Sequence, residues 1–153
     1  GVTLDRFNDS NFFPVFPRSI VEARIEVNGC EIVALSCHGA WTVPPRDNEE
    51  NYRQAKLIAK HLKELSLPFI MGADMNMPPG TRVIRTIEKS AKNLIEGSGI
   101  LQTTHPVVHK IVPRGFLVDY IFTSGHFKRK SIEAPNVLIS DHLPLVAELE
   151  FGD

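Results

Sequence analysis

The sequence predicts a single domain of mixed class, α/β or α+β. Runs of strand length that are apolar or alternate in polarity, two amphipathic helical stripes, and their interleaving along the chain carry this prediction. With 153 residues, 42% hydrophobic and 23% charged, the chain has enough apolar surface for one core and lacks a disordered composition. No apolar run nears the roughly 20 residues that span a bilayer. Gly1 to Arg6 shows neither a basic n-region nor an apolar h-region. The chain therefore reads as a soluble, cytoplasmic domain over residues 1–153, without repeats or linkers.

The first seventeen residues, with Phe12, Phe13, Pro14, Phe16 and Pro17, read as irregular. From Ile20 to Val27 apolar and polar residues alternate, and Asn28-Gly29 separates this run from Cys30–Cys37. Asn-Gly between two such runs predicts a hairpin, because both central residues of a type I′ turn need positive φ. Ile32-Val33-Ala34-Leu35 is continuously apolar, as in a strand buried on both faces. A loop over 39–48 holds Pro44-Pro45, and Asp47 or Asn48 can cap the helix that follows. Its stripe is Ala55, Ile58, Ala59, Leu62 and Leu65. A short strand, Pro68 to Gly72, leads into a polar turn, and Thr81 begins a second helix with stripe Ile84, Ile87 and Ala91. Strands are predicted over Phe116–Thr123, Phe127–Ile132 and Leu143–Phe151.

Seventeen Lys and Arg against 18 Asp and Glu give a net charge of -1. That balance weakens the case for a long duplex nucleic-acid partner, which favours a basic face. The short run Lys128-Arg129-Lys130 reads as a solvated strand or turn. Cys30 and Cys37 lie seven residues apart on one strand, on opposite faces and roughly 23 Å from each other, too far for a disulfide. Free thiols point to a reducing or indifferent compartment.

Four polar clusters sit at the ends of apolar strands. Gly72-Ala73-Asp74-Met75-Asn76 places Asp74 and Asn76 on one side of an extended stretch, where a carboxylate and an amide can hold a hard cation, orient a water or contact a phosphoryl oxygen. An Asx-turn is the plainer use of the same residues. Asp119 lies in the apolar run Val118 to Phe122 and is costly to bury unpaired. Ser140-Asp141-His142 sets a carboxylate beside a possible general acid/base. His38 ends the buried strand. Trp41, just beyond, can stack on a substrate base or headgroup, or plug the core. His105 and His109 have i, i+4 spacing, but Pro106 argues against the helix that would align them for zinc.

The order of these clusters resembles the endonuclease/exonuclease/phosphatase superfamily, whose fold is DNase I-like. The resemblance covers roughly Arg18 to Phe151, and its most specific parts are Gly72–Asn76 and Ser140-Asp141-His142-Leu143-Pro144. It implies an α+β fold with two packed β-sheets flanked by helices, in α/β/β/α layers. It also implies divalent-metal-dependent hydrolysis of a phosphoester, with Mg²⁺ or Mn²⁺ as cofactor. His142 would be the catalytic histidine, oriented by Asp119. Asp74 would align or deprotonate the attacking water, and Asn76 would stabilise phosphoryl oxygens. Asp141, with Asp74 and Asn76, would serve the metal, and His38 would bind a phosphate oxygen.

The family's Asn on its first strand and its metal-binding Glu on the second find no match. Glu22, Glu26 and Glu31 read instead as solvated cross-strand charges. The chain is therefore expected to represent the C-terminal part of the family fold, with the N-terminal portion absent. The expected substrate is a phosphoester, whether small molecule, lipid headgroup or nucleic acid, acted on as a phosphodiesterase or phosphatase. The alternatives are a DNA or RNA nuclease, or a non-catalytic scaffold that has lost its metal site.

Overall fold

Asn28 and Gly29 both adopt positive φ, 52° and 80°, as the hairpin reading requires. A computed structural model describes residues 2–4, 18–41, 46–109 and 115–152. The turn joins β2 (Arg18–Val27) to β3 (Cys30–His38), and β1 (Val2–Leu4) pairs antiparallel with the start of β2. Val2–Leu4 is thus a strand, where an irregular segment was expected. Phe12, Phe13, Pro14, Phe16, Pro17, the Pro44-Pro45 pair and Pro113 lie outside the described residues.

The helix α1 (Glu49–Glu64) is capped by the Asn48 side chain, which accepts from the Asn51 N–H. Asp47 serves another helix: its carboxylate accepts from the Arg82 and Val83 N–H groups at the start of α2 (Arg82–Glu88). Between them lies β4 (Phe69–Asp74), which ends two residues later than the sequence pattern predicted, so that Asp74 is its last residue. Conversely, α2 stops at Glu88, short of Ala91, which packs against the core outside the helix. Next come β5 (Lys92–Asn93), β6 (Asp119–Thr123), β7 (Phe127–Glu133) and β8 (Val146–Phe151). Both β6 and β8 begin three residues later than predicted.

Six strands form one mixed sheet in the order β1-β2-β3-β4-β6-β5, while β7 and β8 pair separately. The β3–β4 pairing is parallel, with α1 as the crossover; the other pairings are antiparallel. On one face of the large sheet, Val33, Leu35, Cys37, Phe69, Met71, Ala73, Tyr120 and Phe122 form the core with Ile58 and Leu62 of α1 and Ile84 and Ile87 of α2. Each large side chain buried there contributes roughly 1.5–3 kcal/mol. The alternation that commits these residues to the helices puts Ser36, His38, Gly72, Asp74, Asp119 and Ile121 on the opposite face. The site grows from that second set.

One charge expectation changes. Glu22 is not simply solvated: its carboxylate meets His61 Nε2 at 3.0 Å, tying β2 to α1. Glu26 and Glu31 remain exposed cross-strand partners, and Glu31 is 3.9 Å from Arg24. In the basic run, the Arg129 guanidinium donates to the carbonyls of Leu94 and Glu96, and Lys130 pairs with Glu150 at 3.2 Å. The run is an exposed strand, as expected, and Arg129 ties it to the segment after β5. No helix among the described residues is long and apolar enough to cross a membrane.

Candidate active site

Three adjacent strands end at the same level on the face away from the helices. His38 is the register partner of Asp74, and Asp74 is the register partner of Asp119. The packing is close: Gly39 N–H donates to the Asp74 carbonyl at 2.6 Å, and a Cβ on Gly39 would lie 2.8 Å from the Met75 carbonyl oxygen. A glycine after His38 is what allows β3 to leave the sheet here. Gln54, fully buried on α1, accepts from the Ala40 N–H at 2.8 Å and fixes the chain toward Trp41, which is half-buried.

Asn76 takes a positive φ of 51°, and its N–H donates to Asp74 Oδ1 at 2.9 Å. The local Asx geometry and the placement of Asp74 are therefore one feature. The Asn76 amide donates from Nδ2 to the Gly39 carbonyl at 3.2 Å, which leaves its oxygen as an acceptor. The other Asp74 oxygen, Oδ2, lies 3.5 Å from His38 Nε2.

His142 arrives from a distant loop. Its Nδ1 lies 2.8 Å from Asp119 Oδ2, which makes Nδ1 the protonated nitrogen and Nε2 the outward one. Buried Thr103 makes this possible. Its hydroxyl accepts from the Val118 and Asp119 N–H groups at 3.0 Å each, and its carbonyl accepts from Leu143 N–H at 2.6 Å. Thr104 forms an isolated antiparallel bridge with His142, and His105 N–H donates to the Asp141 carbonyl at 2.8 Å. Residues 103–105 thus clip the loop carrying Asp141 and His142 to the start of β6.

His105 and His109 have separate uses. The buried His105 ring accepts through Nδ1 from Val107 N–H at 3.2 Å, which shapes a turn, and His109 N–H donates to the His105 carbonyl at 3.1 Å. That turn carries the His109 ring to 5.4 Å from the His142 ring, centroid to centroid. Local spacing held no sign of the contact with His142.

Electrostatics separates the two site histidines. Burial pushes His38 below the ordinary histidine range, against the pull of Asp74. His142 is raised, chiefly by its hydrogen bond to Asp119. Asp74 is raised by burial and then by the Asp119 charge, opposed by the Asn76 N–H and His38. Groups whose environments push their protonation apart suit separate acid and base roles.

Two sets of side chains offer ligand atoms within 4.8 Å of one another: Asp74, Asp119 and His142, and His109, Asp141 and His142. Carboxylate and amide oxygens around Asp74 are hard donors and fit Mg²⁺ or Mn²⁺. Asp74 is raised first by burial and then by the Asp119 charge, and such a cation would relieve the second of these. Beside these groups an open groove of about 540 Å³ runs along the sheet face past Ile70 and Ile121.

The profile of the endonuclease/exonuclease/phosphatase family matches residues 2–142. The chain belongs to this family. Among solved structures, a family member from Bacteroides vulgatus is 22% identical, with a TM-score of 0.76 over 98% of this chain. A mannosyl-6-phosphatase from Bacteroides thetaiotaomicron is 19% identical, with a TM-score of 0.74 over 92%. D. rerio TDP2, complexed with single-strand DNA product, is 16% identical, with a TM-score of 0.68 over 87%. The chain spans 63%, 60% and 62% of those three structures. At these identities the likeness is one of fold, the DNase I-like α+β architecture. No curated protein sequence matches the chain.

Proposed function

We propose that this member of the endonuclease/exonuclease/phosphatase family carries the hydrolytic centre of a divalent-metal-dependent phosphodiesterase or phosphatase. The observation that carries the reading is the Asp119–His142 pair, 2.8 Å apart and set beside Asp74 and His38 at one end of three neighbouring strands.

In this reading Asp74 aligns the attacking water and takes its proton, a role suited to a carboxyl raised above its usual range. His142 presents Nε2 to the phosphoryl group while Asp119 holds the ring and favours its charged form. His38 and Asn76 position phosphoryl oxygens, and Trp41 offers a stacking surface for the substrate. Asp74, Asn76 and Asp141 would hold Mg²⁺ or Mn²⁺, which supplies neutralisation of the charge that develops at phosphorus.

The substrate class we favour is a phosphoester of small size or a lipid headgroup. The net charge of -1 lacks the basic excess usual in proteins that track a nucleic-acid backbone. Nuclease activity is the second reading, since a fold relative is seen with single-strand DNA product. Nicking of a plasmid that declines steeply with salt would select it. The exposed Cys30 and buried Cys37, both free thiols, fit a reducing or an indifferent compartment.

The test is hydrolysis of bis-p-nitrophenyl phosphate with Mg²⁺ or Mn²⁺ by the native protein and by His142→Ala. A loss of about 10²-fold or more in the variant is expected. Equal rates in the two proteins would overturn the assignment.

A further inference from the structure

Metal-binding histidines usually donate their second ring N–H to a carboxylate, which fixes the tautomer and strengthens the outward nitrogen as a ligand. His142 is held in this way, Nδ1 on Asp119 Oδ2 at 2.8 Å. Two further donors stand beside the His142 ring. One is His109, whose ring meets that of His142 edge-on, at 5.4 Å between centroids and 66° between planes. The other is Asp141, whose backbone carbonyl is pinned by His105 N–H. Ligand atoms of His109, Asp141 and His142 lie within 4.8 Å of one another.

Two imidazoles and one carboxylate are the donor set of an open zinc centre, three protein ligands with a fourth position left for water. It differs in kind from the oxygen donors around Asp74, because nitrogen ligands favour late first-row metals over Mg²⁺. We propose that His109, Asp141 and His142 form a binding site for Zn²⁺, and that its occupation switches hydrolysis off. Zinc held there takes the His142 Nε2 needed at the phosphoryl group and draws Asp141 away from the Mg²⁺ or Mn²⁺ set. The binding rests on the geometry of the three residues. The inhibition rests also on the catalytic reading of His142 given above.

Co²⁺, a spectroscopic stand-in for zinc, tests the site without reference to activity. Titrated into the metal-free full chain, it should develop the visible absorption of four-coordinate cobalt, and added Zn²⁺ should bleach it. His109→Ala should weaken this binding by about tenfold or more, a loss typical of a disturbed site. His109→Cys, which restores a ligand, should recover it, and Asp74→Asn, outside the set, should retain it. Native and His109→Ala proteins that bind Co²⁺ and Zn²⁺ alike would overturn the site.

The second arm measures the ratio of rates with and without micromolar Zn²⁺ at fixed Mg²⁺. Native protein should fall at least tenfold in that ratio, and His109→Ala should resist. Cobalt ligated through His109 with no effect of zinc on hydrolysis would overturn the inhibitory claim and count against His142 as a catalytic group. A chain without measurable hydrolysis would still be decided by the cobalt arm, so the two readings fail separately.

Discussion

Asp74 and Asp119 are direct cross-strand partners on β4 and β6, both facing away from the helices. Like charges placed opposite each other in a sheet oppose its pairing, and here burial adds to the penalty and raises the Asp74 carboxyl. Such a pair weakens the fold and is useful only if the concentrated negative charge has a task. Asp74→Asn keeps the oxygen that accepts the Asn76 N–H and removes the charge. In chelator, thermal unfolding of Asp74→Asn should therefore move upward, by an amount worth about 1 kcal/mol. Hydrolysis in Mg²⁺ or Mn²⁺ should collapse. A variant that is both less stable and fully active would contradict this account.

His142 should titrate above an ordinary histidine, because the charged ring keeps its bond to Asp119. A folded-state pKa above the unfolded one stabilises the protein fully below the unfolded value, near 6.5. That stabilisation is lost as pH rises through the folded value. Imidazole NMR of the metal-free protein should show His142 as the late-titrating ring and His38, lowered by burial, as an early one. Asp119→Asn should bring His142 down toward or below the ordinary range and erase its contribution to the pH profile of stability.

The parts of the site that were legible in the sequence are those written locally. Asn28-Gly29 specified its turn because positive φ is a property of two adjacent residues, and the apolar stripes of α1 and α2 follow from the helical period. His38 and Asp74 stand out where strands end and Asp119 as an acid within an apolar run, and the pairing register brings all three to one end of neighbouring strands. What could not be read is held by contacts across long separations. Thr103 looks like any polar loop residue until its hydroxyl is seen under Val118 and Asp119, and Gln54 reads as a helix surface residue although it is 1% exposed. Pro106 argues against a helix that would align His105 with His109, yet a single turn carries His109 to His142. The start of β6 was misplaced for the same reason: Phe116 bonds to Thr104, so residues before Asp119 leave the β4 ladder.

Thr103 is accordingly a positioning residue, and Thr103→Val isolates its hydroxyl at nearly constant shape. Two buried N–H groups, of Val118 and Asp119, would lose their acceptor. An unsatisfied buried donor costs roughly 1–3 kcal/mol, so unfolding in urea should reveal a loss of that order. The informative signal is the His142 ring titration, which should move toward the unperturbed value as Asp119 loosens. Thr103→Ser, which keeps the hydroxyl, should restore it. A His142 titration unchanged in Thr103→Val would show that the Asp119–His142 pair does not depend on this clip.

Cys30 and Cys37 share β3 but not an environment. Cys30 is exposed at the turn, whereas Cys37 lies 5% exposed in the core, and burial pushes its thiol up to about 11. Ellman's reagent should modify Cys30 rapidly in the native protein and reach Cys37 only on unfolding. In the unfolded chain Cys37 ionises near 8.5, so above that pH the unfolded state gives up a proton that the folded state retains. Stability contributed by the neutral thiol is thus whole below about 8.5 and drains away as pH approaches 11. The total is up to about 3 kcal/mol at 1.36 kcal/mol per unit. Cys37→Ala should flatten that alkaline limb while lowering stability at neutral pH through the lost sulfur packing, and Cys30→Ala should change neither. An alkaline limb that persists undiminished in Cys37→Ala would assign it to another group.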